Sequence, residues 1–148
     1  MYRITKEFEF CYGHRLHRHG GKCRHLHGHN ARAVIVLEAR DLDEQGMVRD
    51  FGEVAEVVQS YIDAELDHTM LLHRDDPFLP AIEAAGERVR VLDLDPTAEN
   101  LARLIYERAR AAGLPVVEVA IWESASACAA YRPDGPARDA PTADSLSR

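Results

Sequence analysis

Six of the chain's eight histidines fall between His14 and His29, in CYGHRLHRHGGKCRHLHGHN. Within that block, His27-Gly28-His29 places two imidazoles at i and i+2, a spacing that on a β-strand points both the same way. His14 lies on the preceding alternating stretch, so the two stretches together offer a corner of three ring nitrogens. Three protein ligands with a fourth position left open is the pattern of a catalytic zinc site, and imidazole suits Zn²⁺. Two other readings compete with it. A structural zinc knuckle through Cys23 would want a second ligand couple at C-x-x-C or H-x-x-x-H spacing, and the sequence supplies none. A histidine-rich storage loop would leave the shared parity of His14, His27 and His29 as coincidence. His17, His19 and His25 fit no ligand geometry and are read as loop residues.

Cys23 sits among Lys22, Arg24 and imidazoles, surroundings in which a thiol serves as nucleophile or general base. Asp67-His68 is a carboxylate beside an imidazole at the end of an expected helix, where the helix dipole favours positive charge. Glu123 shares parity with Val117, Val119 and Ile121 and so points to the apolar side of its strand. A carboxylate there is costly unless donors meet it, which makes Glu123 a candidate ligand anchor.

These side chains need elements to hold them. From Tyr2 to His14 the residues Tyr2, Ile4, Phe8, Phe10, Tyr12 and His14 share one parity, against Arg3, Thr5, Glu7 and Glu9 on the other. That is a strand with one buried face. A second strand is expected from His27 to Ala39, with Ala31, Ala33, Ile35 and Leu37 on the face of His27 and His29. Asp50 and Glu53 start a helix as an Asp-led capping box, and apolar residues at helical spacing carry it to about Leu66. Asp76-Pro77 begins a short helix closed by Gly86, and Arg88 to Leu94 is read as extended. Thr97 caps a second long helix that ends at Gly113. Strands follow at Val116 to Glu123 and Ala127 to Arg132. The order implies an α+β domain, residues 1–132, with helices on one face of an antiparallel sheet. Three prolines after residue 132 and little to bury predict a disordered tail, residues 133–148.

With 148 residues, 46% of them apolar, the chain suits one domain. Three cysteines without framework spacing and an N-terminus interrupted by charges are read as a soluble cytoplasmic protein with no membrane span. A net charge of −7 argues against nucleic acid as a partner. Yet no Asp or Glu occurs from Gly13 to Leu37, while Arg15, Arg18, Lys22, Arg24 and Arg32 do. A small anionic ligand, such as a phosphorylated one, fits that local excess.

The segments FEFCYGHRL, GKCRHLHGHN, DFGEV, LDH, PTAEN and WESASACAAYR come in the order and spacing of one family. Over about residues 1 to 132 the sequence resembles the 6-pyruvoyltetrahydropterin synthase/6-carboxytetrahydropterin synthase family. The resemblance implies the tunnelling fold, a four-stranded antiparallel sheet with two main helices. It also implies homo-oligomers, trimers pairing into hexamers, with active sites at subunit interfaces. His14, His27 and His29 would hold Zn²⁺, Cys23 would be the catalytic thiol, and Asp67 and His68 would form a relay facing Cys23 of a neighbouring subunit. Glu123 would anchor a pterin ring, and Thr97 would line its pocket. The implied substrate is 7,8-dihydroneopterin triphosphate, whose phosphates would meet the basic block. The compact C-x-x-x-H-G-H spacing resembles the bacterial 6-carboxytetrahydropterin synthases of queuosine biosynthesis. The pyruvoyl-forming branch and a non-catalytic metal- or pterin-binding module are the alternatives. Two departures from the family pattern are Tyr12-Gly13 before His14, where small residues are usual, and a long stretch from Leu72 to Asp95.

Overall fold

The structure is a computed structural model and describes residues 1–133. The tail expected from residue 133 lies, but for Pro133, outside them. Two long strands, β1 (Tyr2–His14) and β2 (His27–Ala39), pair antiparallel along their whole length, Tyr2 opposite Ala39 and His14 opposite His27. Their alternation behaves as the sequence requires. Phe8, Phe10, Tyr12 and His14 of β1 are buried, as are Ala31, Ala33, Ile35 and Leu37 of β2. Helices α1 (Phe51–Glu65) and α3 (Ala98–Ala111) supply the other side of the core with Val54, Val58, Ile62, Leu101, Ile105 and Ala109.

Both long helices start where their caps predict. The Asp50 carboxylate accepts from the Gly52 and Glu53 amides, and Thr97 Oγ1 accepts from the Asn100 amide. A cap of this kind stabilises its helix by about 1 kcal/mol. Glu53 does not complete a reciprocal box; its carboxylate pairs with Arg49 instead. Gly113, at φ 83°, closes the turn after α3 in the left-handed region that glycine enters without strain.

The sheet is larger than the four antiparallel strands expected. It has six strands in the order β4-β3-β1-β2-β5-β6, with β5 (Val116–Ser124) and β6 (Ala127–Tyr131) completing the antiparallel side. On the other edge, β3 (Thr69–His73) runs parallel to β1, and β4 (Val89–Leu92) runs parallel to β3. Parallel neighbours need a crossover. Helix α1 lies on the path from β2 to β3, and the short helix α2 (Leu79–Ala84) connects β3 to β4. The long stretch from Leu72 to Asp95 is thus spent on widening the sheet.

That addition is tied to the histidine-rich loop by a buried ion pair. Arg15 Nε donates to Asp76 Oδ2 at 2.7 Å, with the guanidinium stacked 3.7 Å over the Phe78 ring. The same guanidinium donates to the Arg24 carbonyl, fixing the loop that carries Cys23. Arg18 pairs with Asp95, and Arg32 with Glu7. Three of the five basic residues read as anion-binding are therefore already paired within the chain, and Arg15 is buried. Lys22 and Arg24 remain exposed on the loop.

Candidate functional site

His14 and His27 are cross-strand partners and His29 faces Tyr12, so the β1–β2 register alone brings three imidazoles together. Their ligand nitrogens all lie within 4.8 Å of one another. His14 Nδ1 donates to the Pro96 carbonyl at 2.6 Å, and His27 Nδ1 donates to the His25 carbonyl at 2.7 Å. A carbonyl can only accept, so both rings carry their proton on Nδ1 and present Nε2 as a lone pair. That outer hydrogen bond is how metal-ligating histidines are oriented. His14 Nε2 and His29 Nε2 are 3.2 Å apart, close to the edge of about 3.3 Å that tetrahedral Zn–N bonds of about 2.05 Å imply. Burial holds the His14 pKa below the ordinary imidazole value, opposed in part by the Pro96 hydrogen bond. A ring kept neutral is a ring ready to coordinate. The residues fit a metal of the zinc type.

The close approach of the strands depends on Gly28. A Cβ there would sit 2.7 Å from the Tyr12 carbonyl oxygen, so the glycine admits the β1 backbone. Gly28→Ala is expected to cost roughly 1–3 kcal/mol, as overpacking does, and to pull His27 and His29 out of register with His14. Thermal melts and metal content of the variant check this.

Around the triad a cavity of about 350 Å³ is lined by Cys23, Thr97, Glu99, Glu123 and Cys128, among others. Cys23 enters it from a single 3₁₀ turn, Lys22–Arg24, anchored by the Leu16 amide donating to the Cys23 carbonyl. Thr97 arrives as the N-cap of α3, directly after the Pro96 carbonyl that orients His14. Glu123 sits at a β-bulge: Trp122 pairs with Cys128 and Ser124 with Ala127, leaving Glu123 unopposed. Bulges re-aim side chains beside functional sites. Here the carboxylate ends 3.9 Å from His14 Nε2 and 3.8 Å from His29 Nε2.

Sequence reasoning missed the residue that receives it. Tyr12 donates its hydroxyl to Glu123 Oε1 at 2.7 Å from beneath the triad. Burial and then Glu123 push the phenol pKa upward, so the proton stays on Tyr12 and the donor role is fixed. The available signal was parity: Tyr12 lies two residues before His14 on the same face.

Asp67 and His68 do not join this cavity within one chain. They follow α1 and lie across β1 against Cys11, lining a separate, larger cavity of about 890 Å³ with Glu9, Asn30, Arg32 and Trp122. Asp67 Oδ1 accepts from the Cys11 amide at 2.9 Å, and Oδ2 accepts from His68 Nδ1 at 2.8 Å. Burial is the largest single influence and raises the Asp67 pKa, but the Cys11 amide together with the hydrogen bonds and charge of His68 outweigh it and hold the carboxyl below its usual range. His68 takes a positive φ of 51°, and its amide donates to the Cys11 carbonyl at 2.7 Å. Left-handed backbone in a non-glycine residue is strained, and such strain collects where a side chain must be presented.

Comparison of the sequence and fold with known proteins identifies the chain's kin. The sequence profile of 6-pyruvoyl tetrahydropterin synthase matches residues 3–134. A 6-carboxy-5,6,7,8-tetrahydropterin synthase of Rickettsia bellii is 39% identical over 104 residues, covering 69% of this chain and 75% of the relative. The enzyme of the same name from Aquifex aeolicus is 30% identical over 159 residues, covering 88% and 98%. Among solved structures, an uncharacterized protein from Wolinella succinogenes superposes with a TM-score of 0.75 at 27% identity, covering 90% of this chain and 98% of that one. The 6-pyruvoyl tetrahydropterin synthase of Caenorhabditis elegans shares the fold at a TM-score of 0.67 and 21% identity, covering 88% and 94%. With the profile spanning nearly every described residue, the chain belongs to the 6-pyruvoyl tetrahydropterin synthase family.

Proposed function

We propose that this protein is a zinc-dependent carbon–carbon lyase that converts 7,8-dihydroneopterin triphosphate to 6-carboxy-5,6,7,8-tetrahydropterin, releasing acetaldehyde and triphosphate. The observation that carries the reading is one cavity holding three converging imidazoles, a thiol and a hydrogen-bonded carboxylate. Sequence kinship to relatives named 6-carboxy-5,6,7,8-tetrahydropterin synthase supports the product, as does the C-x-x-x-H-G-H spacing of Cys23, His27 and His29. Queuosine biosynthesis is the pathway that product would serve, in the cytoplasm.

In this reading His14, His27 and His29 hold Zn²⁺, which as a Lewis acid would acidify the hydroxyls of the substrate side chain. Glu123 accepts paired hydrogen bonds from the guanidine-like edge of the pterin, and the Tyr12 hydroxyl keeps its carboxylate in place. Thr97 lines the pterin pocket. Cys23 takes and returns protons at the side-chain carbons. The Asp67-His68 relay of one copy serves the Cys23 cavity of another, in a homo-oligomer, a trimer or hexamer, with active sites at subunit interfaces. Three observations support a second copy: the Cys23 cavity and the Asp67-His68 pair lie apart within one chain, the His68 side chain is 76% exposed, and among the described residues no strand pairs with the outer edges of β4 and β6.

Incubation with the triphosphate substrate followed by mass spectrometry tests the reading. 6-Carboxytetrahydropterin with acetaldehyde is the expected outcome. A 6-pyruvoyl product without acetaldehyde would assign the pyruvoyl-forming reaction. No product from zinc-loaded protein would leave only a binding module.

A further inference from the structure

The thiol of Cys11 has no part in the proposed reaction, yet it is placed with care. Its Sγ lies 3.6 Å from His68 Nε2, and hydrogen bonds in both directions join the Cys11 backbone to Asp67 and His68. Tetrahedral zinc with Zn–S of about 2.3 Å and Zn–N of about 2.05 Å sets its sulfur and nitrogen about 3.6 Å apart. The free pair already stands at that separation. Behind it, the Asp67 carboxylate accepts from His68 Nδ1 at 2.8 Å, which leaves Nε2 as the lone pair facing the thiol. A carboxylate on the far nitrogen of a ligating histidine is the usual outer support of a zinc-bound imidazole.

From this geometry we infer a second metal site, formed by Cys11 Sγ and His68 Nε2 with Asp67 as outer support, that takes a thiophilic divalent ion such as Zn²⁺. The donors choose the ion: one soft sulfur and one imidazole disfavour Mg²⁺ and Ca²⁺, which want oxygen. Both Asp67 oxygens already accept hydrogen bonds, from the Cys11 amide and from His68, which suits the carboxylate to the outer-support role although it lies within reach of the site. The remaining positions open on the cavity of about 890 Å³ and fall to water or small ligands. With two protein donors the ion is exchangeable, unlike one held by the three-histidine corner. Resting on the proposed function, one consequence follows: an ion here occupies the Nε2 that the relay needs, so excess zinc slows turnover.

Cobalt separates this site from the first, because only a thiolate ligand gives a near-ultraviolet sulfur-to-cobalt charge-transfer band. Full-length, zinc-loaded protein titrated with Co²⁺ is expected to gain that band and about one further equivalent of metal per chain. Cys11→Ser should abolish the band. His68→Asn, which keeps a residue tolerant of positive φ, should weaken it strongly, and Cys23→Ser should leave it intact. Absence of the band at large cobalt excess overturns the inference, as does its survival in Cys11→Ser. Loss of the band in Cys23→Ser alone would move the thiolate to the first site and also overturn it. No substrate is used, so failure here leaves the product assay, and the reading it tests, untouched.

Discussion

Cys23→Ala is expected to retain about one zinc per chain, because three histidines suffice to hold it, and to lose turnover by roughly 10²–10⁴-fold, the contribution of a positioned proton-transfer group. The structure gives the reason the two properties separate. Cys23 lines the triad's cavity but stands on its own short turn, anchored through its carbonyl and not its side chain. None of the three imidazoles takes its orienting hydrogen bond from the thiol. Metal analysis alongside a turnover assay checks both halves. Loss of metal on removing the thiol would make Cys23 a ligand and return the knuckle reading to consideration.

His27→Ala is expected to do the reverse, emptying the site while sparing the fold. Two imidazoles remain, and affinity should fall by more than the roughly 10–100-fold that follows loss of an outer-shell partner. Activity should fall with it. His27 is half-buried, and among the described residues its orienting partner is the His25 carbonyl in an exposed loop, so little structure depends on it. His14→Ala also removes the metal but strips the buried Pro96 carbonyl of its donor, a loss of about 1–3 kcal/mol. Comparing zinc content and melting temperature across the two variants separates ligand loss from destabilisation.

The parts legible in the sequence were those with a strong period. Alternation through Phe8, Phe10, Tyr12 and His14, and again through His27, His29 and Ala31, fixed which histidines share a face. Once those strands pair, the triad follows. Capping residues Asp50 and Thr97 marked the two long helices for the same reason: their signal is local. The parallel edge was not legible. Thr-Met-Leu-Leu-His is five residues long and almost wholly buried, so it shows no alternation, as strands covered on both faces do not. Its pairing with β1 is set by a crossover, which leaves no mark in either strand.

The side chains showed the same division. Parity aimed Glu123 at the apolar side, and the carboxylate does reach it, but through a bulge that parity cannot register. Its partner Tyr12 is 111 residues away in sequence, and Cys11 is 57 from His68. Neither contact has a local signature. Charge was legible only in part. Of the Arg and Lys run read as anion-binding, Arg15 and Arg18 are matched by Asp76 and Asp95, carboxylates supplied some sixty to eighty residues later by the widened edge of the sheet, while Lys22 and Arg24 stay exposed.

The central claim is that the metal cavity with Cys23 and the Asp67-His68 pair are halves of one active centre, met only when two copies join. Mixing the Cys23→Ala and His68→Asn variants, each inactive alone, tests it most directly. Hetero-oligomers verified by native mass spectrometry should recover part of the wild-type turnover, because some interfaces then pair an intact thiol with an intact relay. Verified mixed oligomers with no recovered turnover would contradict the account.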